Sequence, residues 1–66
     1  MTFGQRLRLT LDDRKRGNRE IAKKMGYHET SIYKWCNDEA EPTLTAIRLL
    51  CKELKCSADW LLFGKK

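Results

Sequence analysis

Residues 19–35 read REIAKKMGYHETSIYKW, two short amphipathic segments with one glycine between them. In the first, Ile21, Ala22 and Met25 recur at helical spacing; in the second, Ile32, Trp35 and Cys36 stand at i, i+3 and i+4. Gly17 or Asn18 is expected to start the first segment as a helix, with Glu20 beside the positive end of its dipole. Gly26 is placed to end it in a left-handed conformation. The second helix is expected from about Glu29 to Cys36 or Asn37, and its polar side shows Glu29, Thr30, Tyr33, Lys34 and Asn37. One face of the pair can thus pack inward while the other stays free.

The flanking sequence is helical too. Thr2 and Gln5 have capping-box spacing, and Phe3, Leu7 and Leu11 then recur every fourth residue, so a first helix is expected to run to Lys15 or Arg16. After the polar loop Asn37–Pro42, Thr43 caps a fourth helix whose inner stripe is read as Leu44, Ile47, Cys51 and Leu54, with Leu49 off it. Ser57 caps a last short helix carrying Asp59 in its first turn, Trp60, Leu61 and Phe63 as apolar residues, and Gly64 as its stop. No strand, linker, repeat or low-complexity tract interrupts the pattern. The fold class is therefore all-α, with five short helices in one domain, residues 1–66.

Sixty-six residues allow a single small core with little surplus stability. A hydrophobic content of 41% with 35% charged residues suits a folded domain and not a disordered tail. The longest apolar run is WLLF, far short of the roughly 20 residues of a membrane-spanning helix. Arg6 and Arg8 interrupt the apolar positions that a secretory signal would need, so a reducing cytoplasm is the expected location and no membrane partner is expected. Three cysteines, Cys36, Cys51 and Cys56, make an odd count with no C-x-x-C pair, and His28 is the only histidine. Neither a disulfide framework nor a zinc site follows from them. They read as small core residues, with no metal, cofactor or small-molecule ligand expected.

The formal net charge of +5 is unevenly spread. Between Arg14 and Lys34 stand Arg14, Lys15, Arg16, Arg19, Lys23, Lys24 and Lys34 against only Glu20 and Glu29, whereas Asp38, Glu39 and Glu41 make the following loop acidic. The basic region coincides with the two-helix unit. A basic face is the footprint of phosphate binding, and equally a common solvated surface. Two short helices joined by a tight glycine turn are the helix-turn-helix arrangement, in which the second helix enters the DNA major groove.

Compared along its whole length, the chain resembles the lambdoid phage repressor and Cro domains, the lambda-repressor-like or XRE family. FGQRLR is similar to that family's opening helix, EIAKKMG to its first motif helix, and TSIYKW to its recognition helix. EPTLTAIRLLCKELKC and SADWLLFG are similar to its fourth helix and closing segment. The resemblance implies a compact five-helix lambda-repressor-like domain with helices 2 and 3 as the helix-turn-helix, a double-stranded DNA operator as partner, and transcriptional control. It also implies base reading by Glu29, Thr30 and Lys34 with Tyr33 beside the groove, and backbone contacts from Asn18, Arg19, His28 and Asn37. Glu29 would suit cytosine N4, Lys34 guanine O6 or N7, and Thr30 a thymine methyl. His28 stands where the family commonly has a serine or threonine cap, and imidazole is a poor cap.

Two departures stand out. Many members pair an arginine late in the first helix with a glutamate following the recognition-helix tryptophan; Leu11 and Cys36 occupy those positions here and are expected in or near contact. The acidic loop stands where basic residues are common, and would weaken phosphate binding unless its carboxylates point away. Apolar surplus near the end of the chain, together with the resemblance, implies a homodimer, formed in solution or only on DNA, through Cys56, Ser57, Ala58, Trp60 and Leu61. The leading functional reading is a stand-alone Cro-like repressor, since nothing like a cleavage or ligand domain follows. The alternative is an antitoxin-like interaction module on the same fold. An enzyme lacks any paired carboxylates, activated nucleophile or phosphate loop to support it.

Overall fold

The computed structural model describes residues 1–65. Among them are five helices and no strands: α1 (Phe3–Asp13), α2 (Asn18–Met25), α3 (Glu29–Cys36), α4 (Leu44–Leu54) and α5 (Ala58–Phe63). The starts follow the local chemistry. The Thr2 hydroxyl accepts from the Gln5 N–H while Gln5 returns a bond to the Thr2 N–H, a complete capping box. Thr43 and Ser57 cap α4 and α5 through the N–H groups of Ala46 and Trp60. Gly26 and Gly64 end α2 and α5 at φ 77° and 71°. α1 ends at Asp13, slightly earlier than expected, because Lys15 itself takes the left-handed conformation and lets the Arg16 N–H close back onto the Leu11 carbonyl.

The core is built from Leu7 and Leu11 of α1, Ile21, Ala22 and Met25 of α2, Ile32, Trp35 and Cys36 of α3, Ala46, Leu50 and Leu54 of α4, and Leu61 of α5. α4 corrects the expected stripe. Leu44 is 63% exposed and Ile47 and Cys51 are only partly covered, while Ala46 and Leu50 are wholly enclosed. α2 and α5 pack on α4, and the direction of those neighbours, which the helical period cannot supply, rotates the buried face. Phe63 likewise lies outside the core at 67% exposure.

Polar ties close the bundle. Arg6, 8% exposed, donates through Nε and Nη2 to the carbonyls of Leu61 and Leu62 and through Nη1 to that of Met1, so α1 caps the last turn of α5. Buried Thr10 accepts the indole N–H of Trp60 at 2.9 Å. Arg14 and Arg16, just past α1, donate to the carbonyls of Leu54, Lys55 and Glu53 and so cap α4. These ties fix α1 as the spine against which the two-helix unit is held.

Candidate nucleic-acid interface

α2 and α3 pack against each other, joined through Gly26, Tyr27 and His28. Ile21, Ala22 and Met25 meet Ile32 and Trp35 in one apolar cluster, and the Tyr27 ring packs edge-on against Trp35 with centroids 5.4 Å apart. α1 holds the other flank of α3. Gly4 makes that approach possible: a Cβ there would lie 2.7 Å from the Trp35 carbonyl oxygen. With two sides of α3 fixed, its remaining side faces solvent.

That free side carries Thr30, Tyr33 (49% exposed) and Lys34, with Glu29 half-buried in the first turn. Asn37 and His28 are exposed at the two ends of the helix. His28 is the N-cap residue, but its imidazole makes no capping bond, so the first N–H groups of α3 have no side-chain acceptor; the Ser31 N–H donates to the His28 carbonyl. Asn18 and Arg19 stand at the start of α2, Asn18 half-buried and Arg19 exposed. Asn18, Gly17, Tyr33 and Arg8 line one cleft of about 390 Å³ between α1, α2 and α3.

The basic surface is smaller than the sequence count. Arg14 pairs with Asp13, and Arg16 with Glu20 and Glu53, so these two arginines serve the fold. Lys15, Arg19, Lys23, Lys24 and Lys34 are exposed and take part in none of the salt bridges among the described residues. Their charge is available to an anionic partner.

Leu11 and Cys36 are both buried and line the same cleft. A polar tie joins α1 to the end of α3: Arg8 Nη2 donates to Asn37 Oδ1 at 2.7 Å. A second tie comes from the acidic loop. Asp38, at φ 58°, turns back to accept from the Thr2 hydroxyl at 2.6 Å and the Gly4 N–H at 2.9 Å. It therefore caps α1, and these bonds hold its carboxyl below the usual carboxylate range. One of the three loop carboxylates thus serves α1, and Glu39 and Glu41 remain exposed. Sequence reasoning missed Arg8, Gly4 and Asp38 because each acts on a residue far away along the chain.

Comparison with known proteins bears on this geometry. A family described as helix-turn-helix matches residues 7–61. The chain belongs to the helix-turn-helix family, of the lambda-repressor-like (XRE) type. Over 64 residues it is 34% identical to the HTH-type transcriptional regulator DicA of Escherichia coli (strain K12), a match covering 97% of this chain and 47% of DicA. The chain thus spans about half the length of that curated relative. Its fold is that of the P22 c2 repressor protein in complex with synthetic operator 9T, with a TM-score of 0.92, 31% identity and 98% of each chain covered. The solution structure of the P22 c2 repressor DNA-binding domain agrees at a TM-score of 0.90 and 31% identity, over 97% of this chain and 84% of that one. In this helix-turn-helix domain α2 and α3 are the motif. The DNA-binding and regulatory character of the family follows from the match.

The expected interface between copies needs one correction. Leu61 is wholly enclosed within the monomer and has no surface to offer a second chain. Cys56 and Trp60 are half-buried, and Ser57 and Ala58 exposed. Cys56, Ser57 and Trp60 line an open cleft of about 630 Å³ with Leu9, Thr10, Asp13 and Arg14. Burial, then the neighbouring Cys51, pushes the Cys56 thiol up to about 11; burial also raises Cys51 and Cys36. All three cysteines are free thiols.

Proposed function

We propose that residues 1–66 form a single DNA-binding domain that acts as a Cro-like repressor in the cytoplasm. Two copies bind a pseudo-palindromic double-stranded operator, each laying α3 in the major groove and blocking access to a promoter. The observation that carries this reading is the α3 surface. A helix held on two sides by α1 and α2 leaves Thr30, Tyr33 and Lys34 exposed together, with five uncommitted cations, Lys15, Arg19, Lys23, Lys24 and Lys34, on the two-helix unit and the turn before it. The structural match to a repressor on a synthetic operator supports the same placement.

In this reading Glu29, Thr30 and Lys34 meet base edges, Tyr33 lies beside the groove, and Asn18, Arg19, His28 and Asn37 meet the sugar-phosphate backbone. The unfilled N-cap at His28 and the start of α2 add backbone N–H donors for phosphate oxygens. Cys56, Ser57, Ala58 and Trp60 form the two-fold contact, and Leu9, 48% exposed beside the same cleft, enlarges its apolar area. Affinity measured against salt tests the proposal. A dimer neutralising roughly eight phosphates gives a log–log slope near about −7. A slope near about −2 would mean an interface too small for two recognition helices.

A further inference from the structure

We infer that Arg8, on α1 and outside the helix-turn-helix, is a positioning residue that presents the Asn37 side-chain amide to a DNA phosphate. The inference rests on the DNA-binding reading above and assigns a role to a residue that neither the motif nor the sequence pattern singles out.

Asn37 caps the C-terminal end of α3 and is exposed there. Its amide offers one acceptor oxygen and a nitrogen with two donor hydrogens, and an exposed amide on its own turns between the two presentations. A guanidinium has only donors, so the bond from Arg8 Nη2 at 2.7 Å fixes the oxygen inward. The two amide hydrogens are then left for another acceptor. A phosphate oxygen only accepts, so this is the presentation that binds it. Without Arg8 the amide would lose that bias and hold the right orientation for only part of the time, and the phosphate bond would carry the ordering cost.

Arg8 is committed to the protein. Its guanidinium reaches across to the end of α3, facing the Cys36 thiol as well as Asn37, and lines the cleft shared by Asn18 and Tyr33. The tie between α1 and the end of α3 thus ends on a neutral amide. A neutral acceptor keeps hydrogen-bond donors free for DNA, which a carboxylate in the same place would not.

The test is a double-mutant cycle on binding to a mixed-sequence DNA duplex at low salt, with Arg8→Met, Asn37→Ala and the double variant. Each single variant is expected to weaken binding by about tenfold, the scale of one hydrogen bond to a charged group, and the double variant by no more than the weaker single. Arg8→Met should leave the salt slope unchanged, because Arg8 itself neutralises no phosphate. A slope shallower by about one would show that Arg8 contacts DNA directly and overturn the inference. Independent, multiplying effects in the cycle, or wild-type affinity in Arg8→Met, would overturn it too. Arg8→Gln, neutral but able to donate to the Asn37 oxygen, repeats the cycle if the methionine variant melts below the assay temperature; it should bind within about threefold of wild type, and a full loss would count against the inference. If wild type binds no duplex, the DNA-binding reading falls and this one with it. An additive cycle in a wild type that binds removes this one alone.

Discussion

Replacing Arg6 by methionine probes how α1 holds the end of the chain in place. Methionine keeps an aliphatic stem in the same slot but deletes three hydrogen bonds, to the carbonyls of Leu61, Leu62 and Met1. Two of those carbonyls belong to the last turn of α5, which has no further turn of helix to satisfy them. A hydrogen bond to a charged donor is worth about 1.5–3 kcal/mol, but removing the guanidinium also relieves the cost of burying its charge. With one carbonyl fully enclosed and one partly wet, the net loss is about 2–4 kcal/mol. A chain of this length has on the order of 3–10 kcal/mol in total, so the variant loses a large share of it. At about 4–8 °C per kcal/mol, the melting temperature falls by roughly 8–32 °C. Urea unfolding followed by circular dichroism gives the difference directly, and Arg6→Lys, with charge but no fork, should fall between the two. A methionine variant within about 0.5 kcal/mol of wild type would refute the reasoning.

Further outcomes follow from single sites. Gly4→Ala places a Cβ against the backbone carbonyls of Trp35 and Cys36 and should cost about 1–3 kcal/mol in the same urea assay. His28→Ser supplies the side-chain acceptor that the α3 N-cap lacks and should stabilise the domain by about 0.5–1 kcal/mol, read as a rise in urea midpoint. Because Asp38 is held below its ordinary pKa in the folded state, its contribution is complete above that ordinary value and is lost as pH falls through the lowered one. Asp38→Asn should flatten that part of the acid-unfolding curve. Cys56 behaves in the opposite sense: its folded value is raised from 9.0 to about 11, so stability is lost as pH climbs through that window. Cys56→Val should reduce this alkaline loss, the raised Cys36 and Cys51 accounting for the rest, and an unchanged pH profile would contradict the assignment.

The parts that sequence reading reached are those decided within a turn or two of chain. The capping box at Thr2 and Gln5, the caps at Thr43 and Ser57 and the stops at Gly26 and Gly64 are all local chemistry, and all stand in the structure. The free face of α3 was legible for the same reason, since Ile32, Trp35 and Cys36 point one way and Thr30, Tyr33 and Lys34 the other. The face of α4 was not: Leu44–Ile47–Cys51–Leu54 and Ala46–Leu50–Leu54 are both acceptable helical stripes, and only the packing of α2 and α5 chooses between them. Leu61 illustrates a related gap, because an apolar residue in a short terminal helix suits a core or a partner equally well until its neighbours are known. Charge counting fared worst. Arg6, Arg14 and Arg16 bind carbonyls from 37 to 56 residues away, and Asp38 reaches back to α1, so their charges serve the fold in ways that no local pattern shows.

The central claim, that α3 reads a two-fold DNA site, is tested most directly by selecting bound duplexes from a randomised DNA pool at near-physiological salt and sequencing them. The account predicts an enriched inverted repeat whose half-sites are about 10 base pairs apart, or about 34 Å, with preferences that change at defined half-site positions in Thr30→Ala and Lys34→Ala. No enriched sequence, with binding that only fades as salt rises, would contradict it.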